Sequence, residues 1–169
     1  FKHINVINPA TNFSEKSNVV IKDNKIIYIS KKINDETISN NNPITVYDCS
    51  GLTMSPGLMD MRVNIGKTEN LKATQKIALE NGITSIVLLP NQTPKLNNPS
   101  IIDHIQRQSD ITTLPQVNCY GSATKDESGI EMSELGLMSE MGAVGFTNGN
   151  KSIKNSLVMR RLMSYAKMI

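Results

Sequence analysis

Aromatic side chains are scarce in this chain, and tryptophan is absent. Only 4% of its 169 residues are aromatic, and the formal net charge is +3, with the lysines spread along the whole sequence. Proteins that stack nucleic-acid bases need aromatic platforms, and proteins that follow a phosphate backbone need concentrated basic stripes. The composition therefore argues against a nucleic-acid partner.

Long apolar runs are also missing. No stretch reaches the roughly 18 to 20 residues of a membrane-spanning helix, and the amino terminus lacks the basic and then apolar order of a signal peptide. The chain starts at Phe1 rather than at Met, and the segment that ends at Ile169 has the pattern of a helix without a stop signal, so we expect both ends to be cut. These features predict a cytoplasmic protein with no membrane partner.

Cysteine and histidine are rare, which limits the metal and redox chemistry that the chain can support. Cys49 and Cys119 stand alone rather than in a CxxC pair, so neither a zinc ribbon nor a redox motif is present, and two buried free thiols are expected. His3 lies near the start of the chain. His104 lies on a predicted surface helix, where a partly exposed structural role is expected.

The spacing of hydrophobic residues changes near residue 50. Before it, β-rich runs at 19–22 and 26–30 flank an Asp-Asn pair, which predicts a hairpin. A further strand is expected at 44–49, and the asparagine-rich stretch 34–43 is expected to form a loop. The first part of the chain is therefore predicted to be a small β domain.

Beyond residue 50, predicted strands alternate with predicted helices. The strands are expected at 58–65, 83–89, 116–121 and 143–146, and the helices at 69–80, 99–110, 133–141 and 156–168. The run 83–89 is almost continuously apolar, which is typical of a parallel strand covered on both faces. Four strand-helix units predict a parallel sheet, either doubly wound or closed into a barrel of eight such units, half of which would be missing.

Three segments decide between these folds. The first, SPGLMDMRVN at 55–64, resembles the PG-(apolar)-(apolar)-D-x-H-x-H segment on the first barrel strand of dihydroorotases and related cyclic amidohydrolases. The second, NGITSIVLLPNQTP at 81–94, is similar to the dihydroorotase segment GG-(apolar)-TT-(apolar run)-MPNTxP. The third, from 121 to 147, resembles the GA-(apolar)-TK…G-x-E…GAV-x-F-(S/T)-D stretch of the same family.

The resemblance covers the whole chain and implies the fold of the amidohydrolase superfamily. The expected class is α/β, with residues 1–55 forming part of a small β-sandwich domain. Residues 56–169 are expected to form the first four strand-helix units, the amino-terminal half, of a (β/α)8 TIM-type barrel. Active relatives open and close the cyclic amide of dihydroorotate in pyrimidine biosynthesis, with a divalent ion, usually zinc, that supplies hydroxide and polarises the carbonyl.

The chain departs from the family at each metal position that the resemblance assigns to these strands. Arg62 and Asn64 stand where the family has its two first-strand histidines, and Asn148 stands where it has a fourth-strand aspartate. Guanidinium and amide groups do not replace imidazole or carboxylate as zinc ligands. We therefore expect no catalytic residue and no metal cofactor in this chain.

The family's substrate-binding residues are only partly retained. The arginine that grips the substrate carboxylate in the family falls at Gly66, so that contact is not expected. Asn91 matches an asparagine that contacts substrate, and it either binds substrate or holds the loop backbone through local hydrogen bonds. Lys125 of the TK motif is expected to be a solvated loop charge. Asp60 is expected to form a salt bridge with Arg62.

These substitutions leave three functional hypotheses open. The first is a catalytically inactive dihydroorotase homologue that scaffolds aspartate carbamoyltransferase, the preceding enzyme of the pathway, in a homo- or hetero-oligomer. The second is an active dihydroorotase or cyclic amidohydrolase whose altered metal site is completed by a carboxy-terminal half. The third is a fragment without a function of its own, which would expose strand edges and self-associate.

Overall fold

The computed structural model describes residues 1–33, 44–65, 70–110 and 114–169. The chain divides into two compact units, Phe1–Pro56 and Gly57–Ile169. Each unit has its own sheet and its own apolar core. The loop predicted at 34–43 and the predicted loss of the carboxylate contact at Gly66 lie outside the described residues.

A four-stranded sheet forms the first unit, in the order β3-β2-β1-β4. Its strands are β1 (Ile4–Asn8), β2 (Phe13–Lys22), β3 (Lys25–Ser30) and β4 (Thr53–Met54). β1 and β2 are antiparallel, β2 and β3 form the expected hairpin, and β4 pairs with β1 in parallel. The buried core residues are Ile4, Val6, Val19 and Cys49.

The strand predicted at 44–49 is wrong. Only Asp48 forms a bridge there, with Lys2, and the Lys2 carbonyl accepts a hydrogen bond from the Cys49 N–H at 2.9 Å. The β-favouring side chains of this segment are about half exposed, 50% for Ile44 and 56% for Val46. Strand propensity reflects packing on a half-buried pleated surface, and side chains exposed to this extent gain less from such packing.

The second unit alternates strands and helices. Its strands are β5 (Leu58–Val63), β6 (Ile83–Leu88), β7 (Gln116–Ser122) and β8 (Ala143–Thr147), and its helices are α1 (Leu71–Glu80), α2 (Pro99–Asp110), α3 (Leu135–Glu140) and α4 (Ser156–Ala166). The strands lie in sequential order, and every neighbouring pair is parallel. This order matches successive units of a (β/α)8 barrel, whereas a doubly wound sheet reverses its strand order at a switch point. The predicted α/β class is confirmed.

Apolar residues between this sheet and its helices form the second core. β6 is deeply buried, with Ile86, Val87 and Leu88 each no more than 3% exposed. On α2, Ile102 is fully buried, and Ile105 packs partly buried against the same cluster. No helix in the described part of the chain is long and apolar enough to cross a bilayer.

Gly57 marks the closest approach of β5 to its neighbour. A Cβ atom on Gly57 would lie 2.0 Å from Oγ1 of Thr84, on β6. The next residue, Leu58, donates its backbone N–H to the carbonyl of Gly82 at 3.2 Å. Gly82 follows α1 in the left-handed conformation, with φ +77°. The two glycines therefore fix where β5 and β6 start relative to each other.

Candidate functional site

The carboxyl ends of β5 to β8 bring the predicted site residues to one edge of the second sheet. Arg62 is the last residue but one of β5, and Asn64 directly follows that strand. Asn91 lies in the loop after β6, and Asn148 directly follows β8. Since parallel strands all end at the same edge, their following loops meet there, and this is where ligands bind in parallel α/β proteins.

Asn148 is buried and forms hydrogen bonds with Thr124, which lies in the loop after β7. Its Oδ1 accepts the backbone N–H of Thr124 at 3.0 Å, and its Nδ2 donates to Thr124 Oγ1 at 2.8 Å. Thr124 Oγ1 also accepts the backbone N–H of Gly129 at 2.9 Å. Only 5% of Asn148 is exposed. The amide therefore joins the ends of β7 and β8, and its oxygen is already in use.

Gln92 forms a hydrogen bond with Asn64 and so joins the end of β5 to the loop after β6. Its Nε2 lies 2.9 Å from both Asn64 Oδ1 and the carbonyl of Leu89. Its Oε1 accepts the backbone N–H of Ile65 at 3.0 Å. The sequence analysis did not predict a role for Gln92, because the family motif identifies the preceding residue, Asn91. No sequence signal identifies Gln92, since its partners come from two different loops.

Asn91 is half-buried beside the loop that follows β8. Its Oδ1 is buried and has no hydrogen-bond partner among the described residues. A Cβ atom on Gly149 would lie 3.4 Å from that oxygen. The sequence analysis allowed that Asn91 holds the loop backbone, but among the described residues its oxygen accepts no backbone hydrogen bond. Gln92 bonds the backbone instead, at Ile65 and Leu89. Substrate contact by Asn91 stays a prediction.

Arg62 is exposed, and its guanidinium reaches the loop after β8. Its Nη2 donates to Oδ1 of Asn150 at 3.3 Å. The predicted salt bridge with Asp60 is wrong, because Oδ1 of Asp60 accepts the backbone N–H of Arg62 at 3.0 Å. None of the ion pairs among the described residues includes Arg62. The short aspartate folds back onto its own strand, while the long arginine extends away from it.

The acidic and basic groups after β7 pair with one another. Lys125 is exposed and bonds Glu131, and this hydrogen bond raises the pKa of Lys125. Glu127 is only 4% exposed, and its Oε2 lies 3.4 Å from Nζ of Lys151. Its Oε1 has no hydrogen-bond partner in the described part of the chain. Lys125 is thus a paired cation in solvent, as expected for a loop charge.

The side chains of Arg62, Asn64 and Asn148, where the family resemblance predicts metal ligands, do not fit a zinc ion. A guanidinium about 4 Å from a divalent ion would be repelled by on the order of 8 kcal/mol at an effective dielectric constant near 20. The oxygens of Asn64 and Asn148 already accept hydrogen bonds from protein groups. Within residues 1–33, 44–65, 70–110 and 114–169, no three His, Cys, Asp or Glu side chains group in a way that could hold a metal ion.

Neither histidine nor cysteine residues are among the side chains described at this edge of the second sheet. His104 is exposed on α2, and His3, in the first unit, lies 3.3 Å from Asp48. Cys49 and Cys119 are both free and buried, as predicted. Burial raises the pKa of the Cys119 thiol to about 11, so this thiol stays protonated at neutral pH.

Comparison with known proteins finds relatives that are named dihydroorotase. No protein-family model matches the chain. Curated dihydroorotases from Aquifex aeolicus, Caldicellulosiruptor saccharolyticus and Pelotomaculum thermopropionicum are 28%, 27% and 30% identical to it. These matches cover 97%, 98% and 97% of this chain, and 39%, 39% and 38% of the three relatives. The chain therefore spans about two fifths of the length of the curated relatives it matches.

One solved structure shows the same fold. The L-hydantoinase (dihydropyrimidinase) from Arthrobacter aurescens matches with a TM-score of 0.68 and 16% sequence identity. The match covers 99% of this chain and 38% of that chain. At this identity the likeness establishes the architecture, and it agrees with the sequential parallel sheet of the second unit.

Proposed function

We propose that this chain, a member of the dihydroorotase family of amidohydrolases, is part of a catalytically inactive homologue with a structural role. One observation carries the proposal: Arg62, Asn64 and Asn148, at the three positions where the family has metal ligands, each contact a protein side chain at the same edge. The scaffold of the family is present, and the groups that would hold its metal are replaced by groups that hold the loops together.

The chemistry of the family explains why these replacements matter. Neutral water does not attack an amide carbonyl readily, so hydrolysis of a cyclic amide needs a metal-bound hydroxide or an equally strong nucleophile. Asp60 is the acidic residue of the first-strand motif, and its Oδ1 accepts a backbone hydrogen bond. The guanidinium of Arg62 offers hydrogen-bond donors and no acceptor, so it cannot act as a general base. Neither side chain supplies the metal-bound hydroxide that this chemistry uses.

As partner we propose aspartate carbamoyltransferase, held in a homo- or hetero-oligomer in the cytoplasm. The support is the family resemblance, since inactive dihydroorotase-like subunits have this scaffolding role. A fold that keeps its architecture while its reaction is absent can serve as a docking platform. The partner is thus inferred from the family and the inactivity from the site.

A second candidate function is an active dihydroorotase with an altered metal site. Its support is that the curated relatives carry that name and that the chain spans about two fifths of their length. Later strands of a barrel can supply further ligands at the same edge. Such a site would have to function beside Arg62.

Two assays on the full protein separate these candidates. Dihydroorotate turnover is measured with added zinc, beside an active dihydroorotase as control. We expect no turnover by the protein, and turnover would contradict the proposed inactivity. Co-expression with aspartate carbamoyltransferase from the same organism is then followed by size-exclusion chromatography. A joint peak of fixed stoichiometry is expected, and separate peaks would contradict the proposed partner only.

A further inference from the structure

Two asparagines in the chain are each followed directly by glycine, and the fold holds them in different surroundings. They are Asn81, directly after α1, and Asn148, directly after β8. The backbone nitrogen of the glycine can attack the Cγ atom of the asparagine, and glycine hinders this approach least because it has no Cβ atom. Both pairs are therefore candidate sites of spontaneous deamidation, a reaction that makes asparagine thermolabile.

The reaction needs water and no other partner. The glycine nitrogen loses its proton and forms a bond to Cγ, and the side-chain Nδ2 leaves as ammonia. Water then opens the resulting cyclic imide, which gives either aspartate or isoaspartate. The asparagine side chain must first turn its Cγ atom toward the glycine nitrogen. Contacts that hold the amide or that nitrogen therefore slow the reaction.

Asn148 is held against this attack at both atoms of its amide. Its Oδ1 accepts the backbone N–H of Thr124 at 3.0 Å, and its Nδ2 donates to Thr124 Oγ1 at 2.8 Å. The attacking nitrogen is also engaged, because the Gly149 N–H donates to Oγ1 of Thr147 at 3.1 Å. Asn148 is buried as well. Attack at this pair therefore requires the loops after β7 and β8 to separate.

Asn81 is exposed, and its side chain is held at one atom. Its Nδ2 donates to the carbonyl of Ile77 at 2.8 Å, and no described residue bonds its Oδ1. The attacking nitrogen, that of Gly82, donates to the carbonyl of Leu79 at 3.0 Å within the same exposed turn. Hydrogen bonds at an exposed helix end open by local fraying, without unfolding of the core. This pair can therefore reach the reactive geometry in the folded protein.

We propose that Asn81 is a site of spontaneous deamidation in the folded protein, and that the contacts with Thr124 protect Asn148. The inference goes beyond the proposed function and does not depend on it. It rests on the different surroundings of two pairs that have the same two residues.

Deamidation of Asn81 changes the joint between α1 and β6. A carboxylate at this position cannot donate to the carbonyl of Ile77, and it lies at the end of α1 that carries a partial negative charge. Isoaspartate also lengthens the backbone before Gly82, whose carbonyl accepts the backbone N–H of Leu58 at 3.2 Å. The modification therefore weakens the contact at which β5 starts.

Peptide mapping by mass spectrometry tests the proposal on the unaltered chain, kept at mildly alkaline pH so that the glycine nitrogen loses its proton more readily. In the folded protein, Asn81 should deamidate at least about tenfold faster than Asn148, because Asn148 reacts only from a rarely populated open state. In urea the two rates should become similar. Equal rates in the folded protein, no deamidation at Asn81, or a rate difference that persists in urea would overturn the proposal.

Thr124→Val tests the protection of Asn148 separately. It removes the hydroxyl that bonds the Asn148 amide, so Asn148 should deamidate faster than in the unaltered protein while the rate at Asn81 stays the same. Thr11→Val is the matched control, because Thr11 is exposed in the first unit and neither rate should change. The rate at Asn81 in each sample also reports whether the whole chain has unfolded. An unchanged rate at Asn148 in Thr124→Val would overturn the assigned protection.

Discussion

Arg62, Asn64 and Asn148, the residues that the sequence predicts at the family's metal positions, each form hydrogen bonds with other protein groups. Asn148 shows why an amide differs from the carboxylate that the family has there. Its Nδ2 donates to Thr124 Oγ1, a bond that an ionised aspartate could not donate. From the sequence alone, we predicted that this position would not supply a side chain that binds a metal ion. It could not predict the hydrogen bonds with Thr124, because the two residues are 24 positions apart and the motifs that contain them do not indicate that they pair.

Removing the Asn148 amide should weaken the fold. Asn148→Ala leaves the buried backbone N–H of Thr124 without an acceptor, and an unsatisfied buried donor costs about 1 to 3 kcal/mol. Asn150→Ala is the control, because Asn150 is exposed and its loss should change stability by less than about 0.5 kcal/mol. Urea unfolding of both variants measures the difference. Equal midpoints for the two variants would contradict the structural role of Asn148.

Cys119 should make folding stability depend on alkaline pH. Burial raises the pKa of its thiol from 9.0 to about 11. Below pH 9 both folded and unfolded chains keep the proton, so this stabilising contribution is fully present. As the pH rises from 9 to about 11, only the unfolded chain releases the proton, and the contribution is lost at up to about 1.4 kcal/mol per pH unit.

Variants isolate that thiol from the other groups that titrate at alkaline pH. Urea unfolding between pH 8 and 11 should show a shallower decline for Cys119→Ala than for the unaltered protein. Cys49→Ala, which keeps the Cys119 thiol, serves as the matched cysteine removal and should retain the steeper decline. Parallel curves for the two variants would show that the Cys119 thiol does not carry the effect.

At the level of elements, the sequence predicted the second unit better than the first. The helix at 99–110 has the predicted bounds, and the strand at 83–89 ends within a residue of β6. Their apolar patterns are strong because both are buried in one core. β1 was not predicted, and β2 starts at Phe13 rather than at Val19. Polar residues fill the start of β2, with Glu15 and Lys16 exposed, so periodicity gives no signal there.

The start of β5 depends on the absence of a side chain at Gly57. Gly57→Ala would place a Cβ atom 2.0 Å from Thr84 Oγ1, and we expect a loss of about 1 to 3 kcal/mol of stability from the forced shift. In a chain that already carries Thr84→Gly, the clash is absent, so adding Gly57→Ala should cost much less stability than it does in the unaltered protein. Thermal unfolding and a double-mutant cycle measure the coupling.

Gly82→Ala provides the contrast for that experiment. Gly82 has open space around its Cβ position but a φ of +77°, so its substitution costs backbone strain rather than a clash. Thr84→Gly should not rescue Gly82→Ala. Rescue of both alanine variants, or of neither, would contradict the contact assigned to Gly57.

At the scale of the whole molecule, the second unit has two open sheet edges. β5 and β8 are the outer strands, and Leu58 and Val144 on them are 65% and 54% exposed. Unpaired strand edges with apolar side chains promote edge-to-edge association. We expect the 169-residue chain to self-associate in sedimentation velocity, and Leu58→Lys with Val144→Lys to shift it toward a monomer. The conservative pair Leu58→Val and Val144→Ile should remain associated, and a monomeric unaltered chain would contradict this expectation.

The proposed inactivity depends on Arg62, Asn64 and Asn148, the positions to which the family resemblance assigns metal ligands, so zinc content is the most direct measurement. The full protein is equilibrated with zinc, dialysed and analysed by inductively coupled plasma mass spectrometry, beside an active dihydroorotase and the triple variant Arg62→His, Asn64→His, Asn148→Asp. Our account predicts well below one zinc per chain in the unaltered protein, and more zinc in the triple variant, because imidazole and carboxylate restore suitable ligands. One or more tightly bound zinc ions in the unaltered protein, together with dihydroorotate turnover, would contradict it.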